Sequence, residues 1–150
     1  MLTAWFRQTL ICLGVCSMNI EEGRDTIAGH ATAAVLAGVP ITYTDVPPPD
    51  LNGTVAWVRI TVKFVDGGQR GFGDGVRKFD NIGVLCIEVF APRGDGGARR
   101  DVLAQSAKTY LENVRSSPVW YRNIRAVDVG ADGGYDKINV YADFEFTDSH

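Results

Sequence analysis

The run from Tyr135 to Thr147 constrains this chain more than any other stretch. Every second residue there is apolar (Ile138, Val140, Ala142, Phe144 and Phe146), while Tyr135, Lys137, Asn139, Tyr141, Asp143 and Glu145 fill the positions between. Side chains alternate across a strand, so this period of two puts one set on a core face and the other on a face that meets water or a partner. A strand buried on one side only belongs in an antiparallel sheet. Residues 54 to 65 repeat the pattern. Ala56, Val58, Ile60, Val62 and Phe64 form a core face, and Val55, Trp57, Arg59, Thr61, Lys63 and Val65 a mixed face opposite. Residues 76 to 91 are apolar on both faces between Val84 and Phe90, which predicts a central strand.

The connections are written in glycine. Asp66-Gly67-Gly68, Asp74-Gly75, Asp95-Gly96-Gly97 and Asp132-Gly133-Gly134 hold much of the chain's 17 glycines, and such clusters suit tight turns. The last joins residues 122 to 130 and 135 to 147 into a hairpin. Residues 66 to 75 read as a Gly-rich loop. Val46-Pro47-Pro48-Pro49-Asp50 lacks three successive backbone donors and reads as a surface connector, preceded by a short strand from Val39 to Tyr43.

Residues 19 to 37 predict a helix with Ile27, Ala31, Ala34 and Val35 as its apolar stripe. Asn19 and Glu22 have capping-box spacing, and Gly38 stands at the C-terminal cap. A second helix runs from an Asp95 cap to about Arg115, with Val102, Leu103, Ala107, Tyr110, Leu111 and Val114 on one face and a Lys108–Glu112 pair outside. The order is α-β-β-β-α-β-β. It predicts an α+β fold: a mainly antiparallel sheet of four to five strands with two helices packed on one face. The 150 residues suit one domain, placed at 19–147 between an N-terminal extension (1–18) and a C-terminal tail (148–150). The apolar run from Thr9 to Cys16 is too short to span a bilayer. Residues 1–17 read either as an extra N-terminal helix or disordered extension, or as lying upstream of a translation start at Met18, which the capping box just after that residue supports.

Several function classes recede. A net charge of −3 gives no basic excess for holding free nucleic acid. Gly71-Phe72-Gly73-Asp74-Gly75 is not a phosphate loop, because Val76 breaks the pattern and a strand follows. The Asp-Gly clusters lack EF-hand spacing. The histidines are His30 and His150, so Cys86 with His30 is the one conceivable nucleophilic pair, and the apolar flanks of Cys86 argue against it. Asp143 and Glu145 on one strand face read as a solvated edge beside Lys137. No catalytic, metal or cofactor residue is assigned. Arg93, Arg99 and Arg100 cluster near the second helix, and Arg122 and Arg125 before the hairpin; they serve solubility or a partner surface.

The order of elements, together with Trp57-Val58-Arg59-Ile60, Gly83-Val84-Leu85-Cys86-Ile87-Glu88-Val89-Phe90-Ala91-Pro92 and Val140-Tyr141-Ala142-Asp143-Phe144-Glu145-Phe146, resembles the tail-terminator (tail-completion) family of long-tailed bacteriophages and prophages over residues 19 to 147. The resemblance implies a virion protein of the tail and neck, assembled in the host cytoplasm. It implies a ring, a hexamer in that family, at the head-proximal end of the tail tube that stops tube polymerisation and joins the head. The implied partners are further copies of itself, the tail-tube protein and a head-completion protein. DNA would pass through the lumen without specific binding, and no membrane or cofactor is involved. Other readings are a head-closure or tail-tube subunit of the same apparatus and, from another class, a small-ligand-binding α+β domain.

Interface positions come from the residues themselves. An exposed tryptophan among long polar side chains makes a poor solvent face and a good contact face. Trp57, Arg59 and Lys63 on the outward face of the first long strand, with Arg70, Phe72 and Arg77 in and beside the Gly-rich loop, are the expected contacts.

Overall fold

The computed structural model describes residues 18–48, 55–73, 75–94 and 97–149. Asn19 opens the first helix, α1 (Ile20–Ala34), with both arms of the capping box closed: its side chain accepts from the Glu22 N–H at 2.8 Å, and its own N–H donates to the Glu22 carboxylate at 3.0 Å. Met18, just before the cap, is buried in the core. The helix ends three residues earlier than its apolar stripe suggests, because Val35 turns extended. Gly38, at φ +83°, serves the following turn rather than the cap.

Four further strands and one helix complete the expected order after β1 (Ile41–Tyr43): β2 (Trp57–Gly73), β3 (Val76–Pro92), α2 (Ala98–Glu112), β4 (Trp120–Asp132) and β5 (Tyr135–Ser149). They form one five-stranded sheet in the order β1-β2-β3-β5-β4. Every pairing is antiparallel except β1 with β2, which is parallel. The fold is α+β as the sequence predicts, with β3 at the centre, where its two apolar faces place it.

The inward residues of the alternating strands all reach the core. Val58, Ile60, Leu85, Ile87, Val140, Ala142, Phe144 and Phe146 are buried with Ile27, Ala31 and Ala34 of α1 and with Leu103, Ala104, Ala107 and Leu111 of α2. Both helices therefore cover one face of the sheet. On α2 the buried stripe runs one position off the sequence reading. Ala104 is inside, whereas Val102 and Tyr110 are exposed. The N-cap is Gly97, in the left-handed region and without a side-chain cap; Asp95 lies outside the described residues. The expected outer pair of Lys108 and Glu112 is present at 2.6 Å.

Two boundaries differ in ways that matter for function. The Gly-rich segment after residue 65 is a ladder, not a loop. Asp66, Gly67 and Gly68 pair with Ile82, Asn81 and Asp80, and the strands continue to the Gly73–Val76 pair, with irregularities at Val65 and Arg70. Glycine is poor in strands, but the long regular register of residues 57–64 with 83–90 carries the pairing outward. Of the expected tail at 148–150, the described residues are likewise drawn in: β5 continues to Ser149, and Asp148 is buried, while His150 lies outside the described residues. Residues 1–17 and 49–54, which include Pro49 and Asp50 of the proline connector, lie outside the described residues.

Candidate assembly surface

The outer face of the sheet, opposite the helices, carries rows of side chains fixed by the register. Trp57, Phe90 and Lys137 form one row, then Arg59, Glu88 and Asn139, then Thr61, Cys86 and Tyr141, then Lys63, Val84 and Asp143. The first two rows condense into an aromatic and ionic cluster. The Trp57 and Phe90 rings stack in parallel with centroids 4.0 Å apart, and Tyr135 meets both edge-on. Glu88 lies between Lys137 (2.6 Å) and Arg59 (3.7 Å). Both cations also lie over aromatic faces: Arg59 is 5.4 Å from the Trp57 centroid, and Lys137 is 5.0 Å from that of Phe90. Charge pairing and cation–π contact reinforce each other on a half-dry surface.

This cluster corrects the expectation for Trp57. The indole is only 5% exposed, because its cross-strand neighbour Phe90 stacks on it and Arg59 lies over it. Its Nε1 and the Oδ1 of buried Asn139 have no hydrogen-bond partner among the described residues. Among the described residues, the exposed tryptophan is Trp120, at 74%. It stands at the start of β4, opposite Glu145 in the register. A cleft of about 340 Å³ there is lined by Trp120, Arg70, Arg122 and Glu145 among others. Arg122 pairs with Glu145, and Arg70 lies 3.6 Å from Asp80 and 3.9 Å from Glu145. Sequence reasoning left Trp120 unassigned. The available signal was its place just before a strand whose outward positions are charged.

The six expected contact residues do not form one patch. Trp57 and Arg59 sit in the aromatic cluster, and Lys63 is exposed midway along β2. Arg70 occupies a bulge, and Arg77 is exposed on the returning strand, where its backbone pairs with Phe72; the Phe72 side chain lies outside the described residues. The fifteen residue-to-residue steps from Trp57 to Phe72 on β2 span roughly 50 Å at about 3.3 Å per residue. The surface is thus a long stripe ending in a ribbon whose residues 65 to 70 are all exposed.

Cys86 and His30 are not brought together. Cys86 belongs to the outer face, and its thiol is pushed up to about 11, chiefly by burial and then by the Glu88 carboxylate, against smaller opposing effects of Lys137 and a Tyr141 hydrogen bond. It stays protonated at neutral pH and is a poor nucleophile. His30 is on α1, across the sheet, with its Nδ1 2.7 Å from the Tyr121 hydroxyl. Burial holds the His30 ring below its usual range and pushes the Tyr121 phenol up. Asp143 and Glu145 face basic partners: Arg125 at 3.4 Å from the first, Arg122 at the second. Arg93 faces Asp136 at 3.8 Å, and Arg100 faces Asp101 and Asp128, each at 3.2 Å. Among the described residues no group of three His, Cys, Asp or Glu side chains is arranged to hold a metal ion, and no helix is long and apolar enough to cross a membrane.

No family model and no curated protein matches the chain. Several solved structures resemble it; one of them does so with a TM-score of 0.56 at 15% identity, over 81% of this chain and 94% of the other. At that identity the likeness concerns the fold alone, and that protein's name says nothing of a role.

Proposed function

We propose that this chain is a structural subunit rather than an enzyme, one that closes into a ring and terminates a phage tail tube as the tail-terminator resemblance implies. The observation that carries this reading is the exposed Trp120, flanked by Arg70 and Arg122 at the base of a ribbon with little cover. Tryptophan and arginine dominate binding hot spots, and desolvating them against a partner makes them effective. Strand β5 flanks β3 as far as the Lys78–Ser149 pair, so only the Phe72–Arg77 and Gly73–Val76 pairs beyond it form a two-stranded tip, marginal by itself in water and best explained by what it packs against in an assembly. The paired charges of the outer face leave few unmatched cations, which suits a ring whose channel lets DNA slide. In this reading the partners are further copies, a tail-tube protein and a head-completion protein, and the protein belongs to the virion's neck.

Negative-stain microscopy of the purified chain tests the reading. Closed rings with a central channel are expected. Separate particles of single-domain size at high concentration would count against it.

A further inference from the structure

The sheet has two open ends, and they match. Strand β1 covers β2 only from Val58 to Ile60. Backbone groups of Val58 and Ile60 point to the β1 side, where the Val58 N–H donates to the Pro40 carbonyl and the Ile60 carbonyl accepts from Thr44. By alternation, those of Val62 and Phe64 point the same way, where β1 has ended. A side chain stands in at Val62: Arg24 of α1 donates to its carbonyl at 3.0 Å while lying over the Phe64 ring. Beside this edge a groove of about 990 Å³ runs between α1 and β2, lined by Ala28, Gly29 and Ala33 on one side and Ile60 and Val62 on the other. Gly29 is mid-helix, yet a Cβ there would meet nothing within 4 Å. Glycine is the poorest helix former after proline, and nothing within the described chain requires it there.

The other end is β4. The row Ile60–Ile87–Val140–Ala126 crosses the whole sheet. Since Ile60 bonds outward, the alternation passes along the row and leaves the N–H and C=O of Ala126 pointing off the far edge. Residues 125 to 128 form a regular segment between the two β4 irregularities, so Ala126 and Asp128 offer two outward sets of backbone groups. Val62 and Phe64 offer two as well. Strands β2, β3, β5 and β4 are antiparallel in turn, so β4 runs opposite to β2.

We propose that β4 of a second copy adds to the open edge of β2, with its inward side chains seated in the α1 groove. The occupant is argued from charge and size. Pairing Ala126 with Phe64 sets Asp128 opposite Val62, beside the Arg24 guanidinium that the incoming N–H would displace. The small Ala126 side chain meets the Phe64 end of the edge, beneath Arg24, and the residue opposite Val62 enters the groove that Gly29 leaves open. Each copy then offers one edge and accepts another. This is a head-to-tail contact that closes into a ring when the rotation permits, by main-chain strand addition. The inference rests on the ring reading above and names the seam between subunits.

Sedimentation velocity over a concentration series, with full-length chains, provides the test. Ala126→Pro removes the outward N–H but no bond within the sheet, and Gly29→Leu fills the groove. Each is expected to raise the concentration needed for assembly at least tenfold while far-UV circular dichroism stays that of wild type. As a readout independent of either variant's fold, Gly29→Cys and Ala126→Cys chains, with the native cysteines replaced, are mixed with a short bismaleimide and should give a cross-linked dimer only in the mixture. If wild type assembles, both edge variants assemble equally well and the mixture gives no cross-link, the seam is wrong and the ring reading stands. If wild type stays monomeric throughout, the seam and the self-closing ring fall together.

Discussion

Gly83→Ala should be among the most damaging single-methyl additions in this protein. Gly83 sits in β3 between Phe64 and Phe144 in the register. A Cβ there would lie 2.2 Å from the Lys63 carbonyl oxygen and 2.4 Å from the Phe144 ring. Neither neighbour yields cheaply. The oxygen belongs to a ladder strand, and Phe144 is fully buried, meeting Phe64 edge-on and stacking with Phe146. Overpacking a tight core costs about 1–3 kcal/mol, and two immovable neighbours put this case at the upper end. Removing glycine's freedom in the unfolded chain returns about 0.4–1 kcal/mol, so the net loss is roughly 2 kcal/mol. With a urea m-value of about 2 kcal/mol/M, the midpoint of unfolding should fall by about 1 M. Gly68→Ala is the control. It lies in the same hairpin, nothing stands within 4 Å of its Cβ, and its midpoint should move little. Equal midpoints for Gly83→Ala and wild type would show that Phe144 does not pack over this glycine and would undo the register on which the outer-face rows depend.

Trp57→Ala should act on the fold rather than on assembly alone, since the indole is buried and stacked on Phe90; a loss of about 3 kcal/mol in urea unfolding is expected, and an unchanged midpoint would return Trp57 to the contact surface. His30 is half-buried and hydrogen-bonded to Tyr121, and this partial burial holds its pKa below the usual 6.5. The unfolded chain therefore takes up the proton first on acidification, so the His30 contribution is whole above 6.5 and is lost as pH falls below it. His30→Gln should flatten this part of the stability–pH curve, and an identical curve would show that another group governs it. A chain beginning at Met18 should keep the wild-type circular dichroism and thermal midpoint, because Met18 packs in the core and the Asn19–Glu22 box closes α1; a collapsed midpoint would show that residues 1–17 are needed for stability.

The strands and their faces were legible because the alternation in residues 54–65 and 135–147 is nearly unbroken and each inward residue is large and apolar. The caps were half legible. Asn19 and Glu22 declare themselves by type and spacing, whereas Gly97 caps α2 by backbone conformation alone. The ribbon was hidden because turn-forming glycines dominate residues 66–75, and local propensity cannot show that a register set twenty residues away continues through them. Trp57 was misread for a related reason. Its place on the outward face is evident, but its burial depends on Phe90, Arg59 and Tyr135, which reach it across the sheet and from later in the chain. The exposed Trp120 and the open edge at Val62 are likewise properties of the sheet order, which no single segment encodes.

Native mass spectrometry of the purified full-length chain tests the central claim most directly. A closed assembly of fixed stoichiometry is expected, near six times the 16.3 kDa chain mass for the hexamer that the resemblance implies, with no ladder of intermediate sizes, since a ring ends its own growth. A spectrum holding only the 16.3 kDa monomer at concentrations well above those of an assembling subunit would contradict it.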